Sequence, residues 1–290
     1  MRILLTGKNG QLGRCFQDVI KNTELALFAF DSAELDITNA QNIDQVVRQT
    51  KPDIIVNAAA YTAVDKAETD SETAYLVNAT GPCLLAEQAA RLNIPLIHIS
   101  TDYVFDGEAV EPYKPSDVTN PQSVYGASKL AGEESVTATC DKYIILRTAW
   151  VFSEYGNNFV KTMLRLAKER DSLGVVADQY GSPTYAGDIA SAILTLCLDY
   201  QQNGSLAWGI YHFSGDIPTS WHGFARAIFS KAYQHGLLSK QPKLTALGTE
   251  QYPTPAKRPA YSLFDSKELD ELHLSSSPWL QGLDKVLKNL

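Results

Sequence analysis

A phenol and an ammonium four residues apart, Tyr125 and Lys129 in the run Tyr125-Gly126-Ala127-Ser128-Lys129, fall on one face of any helix that carries them. A positive charge so placed favours the phenolate, which makes Tyr125 usable as a proton donor or acceptor near neutral pH. The spacing alone is a weak sign, and position decides its weight. The pair lies between two short apolar runs that read as strands, and Ser100-Thr101-Asp102 closes the first of them. The Thr101 hydroxyl and Asp102 carboxylate therefore stand at the carboxyl edge of a sheet, where ligands bind in open α/β folds.

A second group of residues suits a dinucleotide. Gly7-Lys8-Asn9-Gly10-Gln11-Leu12-Gly13 follows a predicted strand and opens a predicted helix, so its glycines allow a tight turn and bring a pyrophosphate against backbone N–H groups at a helix N-terminus. Asp31 ends the next strand 18 residues after Gly13, about where a carboxylate accepts from an adenosine ribose. That favours NAD(H), because a 2′-phosphate would meet a like charge and no arginine follows at Ser32 or Ala33. Asp36 and Ile37 could flank the adenine; equally, Asp36 could cap a turn.

These groups need a sheet to hold them. Residues 2–6, 25–30, 53–57, 95–100 and 143–146 read as strands, being short, rich in Ile, Val, Leu or Phe, and bounded by polar or turn residues. Between them 12–20, 40–49, 72–92 and 124–138 carry apolar residues at helical spacing, with Thr38 or Asn39 and Ser71 as N-caps. The fold class is α/β: a doubly wound parallel sheet over 1–150 that binds a dinucleotide, then a smaller, irregular substrate-binding lobe over 151–290. In that second part 158–169 and 186–200 read as helices and 174–177 and 209–214 as strands, and a segment of about 174–200 is expected to return to the first domain. Tyr252-Pro253-Thr254-Pro255-Ala256-Lys257-Arg258-Pro259 cannot be helix, since each proline fixes φ and removes a donor.

Composition sets outer limits. The 290 residues suffice for one large domain or two modest ones, and a net charge of −8 argues against nucleic acid or an acidic membrane as partner. Cys15, Cys83, Cys140 and Cys197 are scattered without metal-ligand spacing, so neither a disulfide framework nor a zinc site is expected. With no run near the ~18 apolar residues of a membrane span, the profile is cytoplasmic.

The glycine and Tyr-Lys motifs, together with Ser100-Thr101-Asp102-Tyr103-Val104-Phe105, Asp178-Gln179-Tyr180-Gly181-Ser182-Pro183-Thr184, the proline block and the stretches at 57–68 and 158–165, resemble the extended short-chain dehydrogenase/reductases, and within them the dTDP-4-dehydrorhamnose reductase family. The resemblance spans almost the whole chain. It implies reduction of the C4 ketone of dTDP-4-dehydro-β-L-rhamnose to dTDP-L-rhamnose by NADPH or NADH, a step that supplies a cell-envelope sugar. It implies that Tyr125 protonates the developing alkoxide, that Lys129 binds the nicotinamide ribose and tunes Tyr125, and that Thr101 hydrogen-bonds the carbonyl oxygen. Gly10, Gln11 and Leu12 would cover the pyrophosphate, Asp31 the ribose, and Asp36 and Ile37 the adenine, with Ala60, Tyr61 and Thr62 lining the cofactor cleft. Asp102 and Trp150 would touch the sugar, and Asn158 and Arg258 the nucleotide end; a core aromatic and a surface salt bridge are the plain alternatives for Trp150 and Arg258.

One departure stands out. Some members of the family join two subunits through Mg²⁺ held by acidic side chains, and the matching positions here are Cys15 and Gly187, which offer no hard oxygen ligand. A homodimer is compatible with the resemblance, but not one bridged in that way, and no metal is expected. Rival readings are another nucleotide-sugar 4-ketoreductase or an epimerase, and a non-catalytic subunit like the regulatory partner of methionine adenosyltransferase. A dehydratase fits less well, because Thr101-Asp102 lacks an Asp-Glu pair.

Overall fold

The computed structural model describes all 290 residues. The first half runs β1 (Arg2–Thr6), α1 (Gln11–Ile20), β2 (Ala26–Phe30), α2 (Ala40–Thr50), β3 (Ile54–Asn57), α3 (Val64–Ala67), α4 (Ser71–Tyr75), a π turn (Leu76–Thr80), α5 (Gly81–Leu92), β4 (Leu96–Thr101), α6 (Val124–Thr139) and β5 (Tyr143–Thr148). The second half runs β6 (Val151–Phe152), α7 (Phe159–Glu169), β7 (Ser172–Val176), β8 (Tyr180–Gly181), β9 (Thr184–Tyr185), α8 (Ala186–Asn203), β10 (Gly209–His212), β11 (Thr219–Ser220), α9 (Trp221–Gln234), β12 (Lys243–Leu247) and α10 (Trp279–Lys288).

Six parallel strands form the central sheet in the order β10-β5-β4-β3-β1-β2. Both faces are covered, which is why these strands are continuously apolar rather than alternating with polar residues. The two-residue period survives as a choice of face. Ile3, Leu5, Ile54, Val56, Ile144 and Leu146 pack with α1 and α8, while Leu4, Ile55 and Ile145 pack with α2, α5 and α6. Each such side chain contributes about 1.5–3 kcal/mol by leaving water. The chain steps outward from β1 to β2 and then crosses to β3 on the other side, so a crevice opens beyond the carboxyl ends of β1 and β3.

Two local expectations change. The single helix read over 72–92 is broken by the π turn, because Pro82 has no N–H to bond the Asn78 carbonyl; the backbone of α6 comes so close there that a Cβ on Gly132 would lie 2.1 Å from the Asn78 oxygen. Ser71 is the first residue of α4 and no cap, whereas Asn39 caps α2, accepting from Gln41 N and Asn42 N.

The second lobe has its own core, with α7, α9 and α10 packed on β7. Helices α9 and α10 and strand β12 had no place in the sequence reading. The segment that rejoins the main sheet is α8 with β10, whereas β7 pairs with β12 and stays in the lobe, so the return starts later than residue 174. Residues 252–259 are neither helix nor strand. No helix is long and apolar enough to cross a membrane, and all four cysteines are free thiols.

Candidate active site

A cleft of about 880 Å³ runs along the carboxyl ends of β1, β3, β4 and β5. Its floor at one end is the glycine turn. Gly7 has φ +72°, and a Cβ there would lie 2.7 Å from the Ala58 oxygen, while a Cβ on Gly13 would lie 2.2 Å from the Gly7 oxygen. Gly13 does not line the cleft; it lets α1 close onto the turn. Gly10 is the N-cap of α1, no side chain caps that end, and the first turn carries no acidic residue. The free N–H groups and the positive end of the helix dipole are left for an anion. Gln11 and Leu12 line the cleft beside them.

Asp31 lies at the cleft edge, with Oδ1 accepting from Ala33 N at 3.0 Å and Oδ2 from Asn9 Nδ2 at 3.0 Å. Lys8 Nζ sits 3.5 Å from the same Oδ2 and also pairs with Glu34. The like-charge argument against a 2′-phosphate therefore weakens: sequence reasoning looked for an arginine after Asp31, but the cation comes from inside the glycine turn. Asp36 and Ile37 both line the cleft. Asp36 Oδ1 also takes Thr38 N at 2.9 Å and Thr38 Oγ1 at 2.7 Å, so the carboxylate caps a turn.

Ala60, Tyr61 and Thr62 form the wall after β3. They are held by a residue that sequence reasoning missed, the fully buried Asn78 of the π turn. Its Oδ1 accepts from Tyr61 N at 2.8 Å, and its Nδ2 donates to Tyr61 O at 3.1 Å and to Ser128 Oγ at 3.0 Å. One amide thus ties the cleft wall to α6 immediately before Lys129. An asparagine inside an otherwise apolar helical pattern was the only signal available.

Thr101, Asp102, Tyr125 and Lys129 come together in the cleft. Ser123 caps α6, accepting from Gly126 N at 3.1 Å, and so fixes where the helix begins. Tyr103 packs edge-on against Tyr125 with ring centroids 5.4 Å apart. Burial pushes the Tyr125 phenol well above its ordinary range, with the Thr101 hydroxyl opposing. Burial also pushes the Lys129 ammonium down to about 8, against the pull of Glu133. The pairing expected between Lys129 and the phenol is not a direct one: the ammonium makes no hydrogen bond to Tyr125. Lys129 turns toward β4, donating to Ile99 O at 2.7 Å with His98 Nε2 at 3.3 Å, and desolvation governs both groups. The phenol stays protonated through neutral pH, the state a proton donor needs.

Thr101 Oγ1 accepts from Tyr103 N at 3.3 Å and donates to Asp102 Oδ1 at 3.1 Å. Asp102 Oδ2 is buried without a partner, and burial pushes the carboxyl up to about 6 despite the Thr101 hydroxyl. Trp150 lines the cleft with φ +51°, a strained conformation for a bulky residue. It stacks on Trp221 at 3.6 Å between centroids and 9° between planes. Trp221, at the start of α9, was not picked out in the sequence.

Asn158 and Arg258 do not line the cleft. Asn158 caps α7, accepting from Lys161 N at 3.1 Å, and donates to Gln11 Oε1 at 2.8 Å and Ser153 O at 2.7 Å. Its amide is fully engaged in tying the second lobe to the glycine turn. Arg258 pairs with Asp65 at 2.7 Å and touches the OH of Tyr103, a residue of the cleft lining, at 3.3 Å.

The model of one family, described as the RmlD substrate binding domain, matches residues 1–290. The chain belongs to this family. Among its relatives, dTDP-4-dehydrorhamnose reductase of Aggregatibacter actinomycetemcomitans is 47% identical over 287 residues, 98% of either chain. The crystal structure of dTDP-4-dehydrorhamnose reductase from Bacillus anthracis in complex with NADP is similar with a TM-score of 0.92 at 40% identity, covering 100% of this chain and 99% of that one. The Clostridium acetobutylicum reductase has a TM-score of 0.92 at 41% identity, covering 99% of each. The expected fold class, a Rossmann-like parallel sheet, stands.

Cys15 is buried, its thiol pushed up to about 12 by desolvation, and Gly187 lies in α8 with its Cα against the Tyr185 ring. No group of three or more His, Cys, Asp or Glu side chains is placed to hold a metal ion. The residues present fit a nicotinamide dinucleotide: an uncapped helix N-terminus, a glycine turn with no side chain at Gly10, and a cleft that continues from Asp31 to Tyr125.

Proposed function

We propose that the protein reduces the C4 ketone of dTDP-4-dehydro-β-L-rhamnose to dTDP-L-rhamnose, using NADPH or NADH. The observation that carries this reading is that Tyr125 and Thr101, two buried hydroxyl groups, share one cleft with the glycine turn and the open N-terminus of α1. The cofactor, when bound, supplies the hydride. Everything else falls to the chain. Tyr125, protonated at neutral pH, gives its proton to the substrate oxygen as that oxygen gains charge. Thr101 offers a second donor by turning its single hydrogen from Asp102 to the substrate oxygen. A protonated Asp102 would then donate to Thr101, so the pair works best where that carboxyl is still partly protonated.

Gly10, Gln11 and Leu12 bind the pyrophosphate, Asp31 and Lys8 the adenosine ribose and its substituent, and Asp36 and Ile37 the adenine. Lys129 serves the nicotinamide ribose, and Ala60, Tyr61 and Thr62 wall the cofactor. Asp102 and Trp150 contact the sugar, the Trp150–Trp221 stack forming a flat apolar wall. On this reading Asn158 positions Gln11, and Arg258 acts through Tyr103. The dinucleotide unit is 1–150 with 186–212, and the remaining residues bind the nucleotide sugar. A cytoplasmic location suits free thiols and reduced-nicotinamide chemistry.

The test is incubation with dTDP-4-dehydrorhamnose and either NADPH or NADH, following loss of reduced nicotinamide and identifying the sugar by NMR. Rhamnose from the wild type, with turnover reduced about 10²–10⁴-fold in Tyr125→Phe, is expected. No consumption of either cofactor, or the C4 epimer as product, would overturn the assignment.

A further inference from the structure

Lys129 ends in a buried chain of polar groups that the reaction as described does not use. Thr6 and Asn57, the last residues of β1 and β3, stand beside His98 in the middle of β4, paired in register, and all three are buried. Asn57 Oδ1 accepts from Thr6 Oγ1 at 2.6 Å and from Ala59 N at 3.2 Å. Asn57 Nδ2 faces His98 Nδ1 at 3.0 Å, and His98 Nε2 faces Lys129 Nζ at 3.3 Å.

The direction of every bond in this chain follows from its first member. A backbone N–H can only donate, so the Asn57 atom facing Ala59 N is the oxygen and the atom facing His98 is the amide nitrogen, a donor. His98 Nδ1 must then offer its lone pair, and the ring proton sits on Nε2. The Nε2–H points at Lys129. An ammonium has three donors and no lone pair, so it would meet that N–H donor to donor; an uncharged amine accepts it, while still donating to Ile99 O at 2.7 Å. A cationic ring is excluded by the same bond from Asn57, and burial with the neighbouring Lys129 holds His98 far below the ordinary histidine range.

We propose that His98, locked by Asn57, is a positioning residue for Lys129: its Nε2–H stabilises the uncharged amine and so sets the pH at which the positive charge in the Tyr125 cleft is lost. The inference rests on Tyr125 as the proton donor. Once Tyr125 has given its proton to the substrate oxygen, its phenolate regains one from water before the next turnover, and the charge on Lys129, which lines the same cleft, sets the field in which it does so. Of the other ionisable groups around Lys129, Glu133 lies on its own helix and acts on its charge, and Tyr125 and Asp102 line the same cleft. Glu133 is the one that opposes loss of the lysine's charge, and it is bound in a buried pair with Arg147 at 2.6 Å. The balance is thus left to burial and His98.

Asn57→Asp tests this, because a carboxylate cannot donate to Nδ1. The ring proton moves to Nδ1, and Nε2 presents a lone pair that favours the ammonium. In cofactor-free protein carrying ¹³Cε-lysine, with Lys129→Met used for assignment, the Lys129 signal is expected to titrate near 8 in the wild type and about one unit or more higher in Asn57→Asp. The alkaline limb of kcat should move upward with it, with a lower plateau and little change in KM. The wild type alone supplies a second measurement: long-range ¹H–¹⁵N correlation should find His98 protonated on Nε2 only, across the neutral range. A proton on Nδ1, a wild-type Lys129 that titrates as an ordinary lysine, or a kcat limb that ignores Asn57→Asp would overturn the proposal. Failure of the wild type to reduce the keto sugar would instead sink the proposed function, and the two spectroscopic measurements would still decide the hydrogen-bond chain separately.

Discussion

Replacing Thr101 by valine keeps the shape of the side chain and deletes one hydroxyl that does three things. In the proposed reaction it donates to the reacting oxygen; in the structure it caps the turn Asp102–Val104 through Tyr103 N at 3.3 Å and is the hydrogen-bond partner of Asp102 Oδ1 at 3.1 Å. Loss of a donor to an oxygen that gains charge costs about 10²–10³ in kcat, or about 3–4 kcal/mol. Loss of the cap costs about 1 kcal/mol of stability. The variant takes from Asp102 Oδ1 its Thr101 partner while Oδ2 already lacks one, leaving the Ser262 hydroxyl as the side-chain group nearby, a further cost of about 1–3 kcal/mol. The carboxyl group escapes part of this by staying protonated to higher pH than about 6. Thr101→Ser keeps the hydroxyl and serves as the control. Steady-state reduction of the keto sugar would be measured beside urea unfolding for wild type, Thr101→Val and Thr101→Ser. A valine variant within threefold of wild type in kcat would refute the assignment of Thr101 as a donor to the substrate oxygen, and a variant equal to wild type in stability would refute the account of Asp102.

Asp102 itself gives a pH prediction. Its carboxyl is raised from 3.8 to about 6 on folding, so the folded state holds the proton more tightly; the associated stability is full below the unfolded value and is lost as pH rises through about 6, by about 3 kcal/mol. Asp102→Asn should flatten stability between those values in pH-dependent urea melts, and an unchanged slope would show that the carboxyl is not desolvated. Lys8→Ala should lower kcat/KM for NADPH roughly tenfold relative to that for NADH, since it removes the cation beside Asp31. An unaltered ratio would place recognition of the 2′ substituent elsewhere.

Much of the scaffold was legible because it is local. Strands of doubly covered parallel sheets are short apolar runs, and helices between them show a 3.6-residue period, so the five β-α steps and the placement of the glycine turn followed from neighbours in sequence. Tyr125 and Lys129 share a helix, and Thr101 and Asp102 share a strand end, so their convergence on one edge followed from topology. The irregular lobe was less legible. Its strands of two residues and its helices α9 and α10 are defined by packing between distant segments.

What the tertiary structure alone decided is which atom each side chain addresses. Lys129 carries the same residue name whether it faces a phenol or a histidine, and only the register of β3 against β4, which sets Asn57 opposite His98, determines its partner. Asn158 and Arg258 read as ligands for a nucleotide, and their partners in the fold, Gln11 and Asp65, lie 147 and 193 residues away in sequence. Asn78 and Trp221 had no local mark of importance until the fold set them against Tyr61 and Trp150. Sequence determined the types of group available and the edge of the sheet they would reach. Burial then decided their charges, because desolvation depends on what surrounds a group in space and not on what precedes it in the chain.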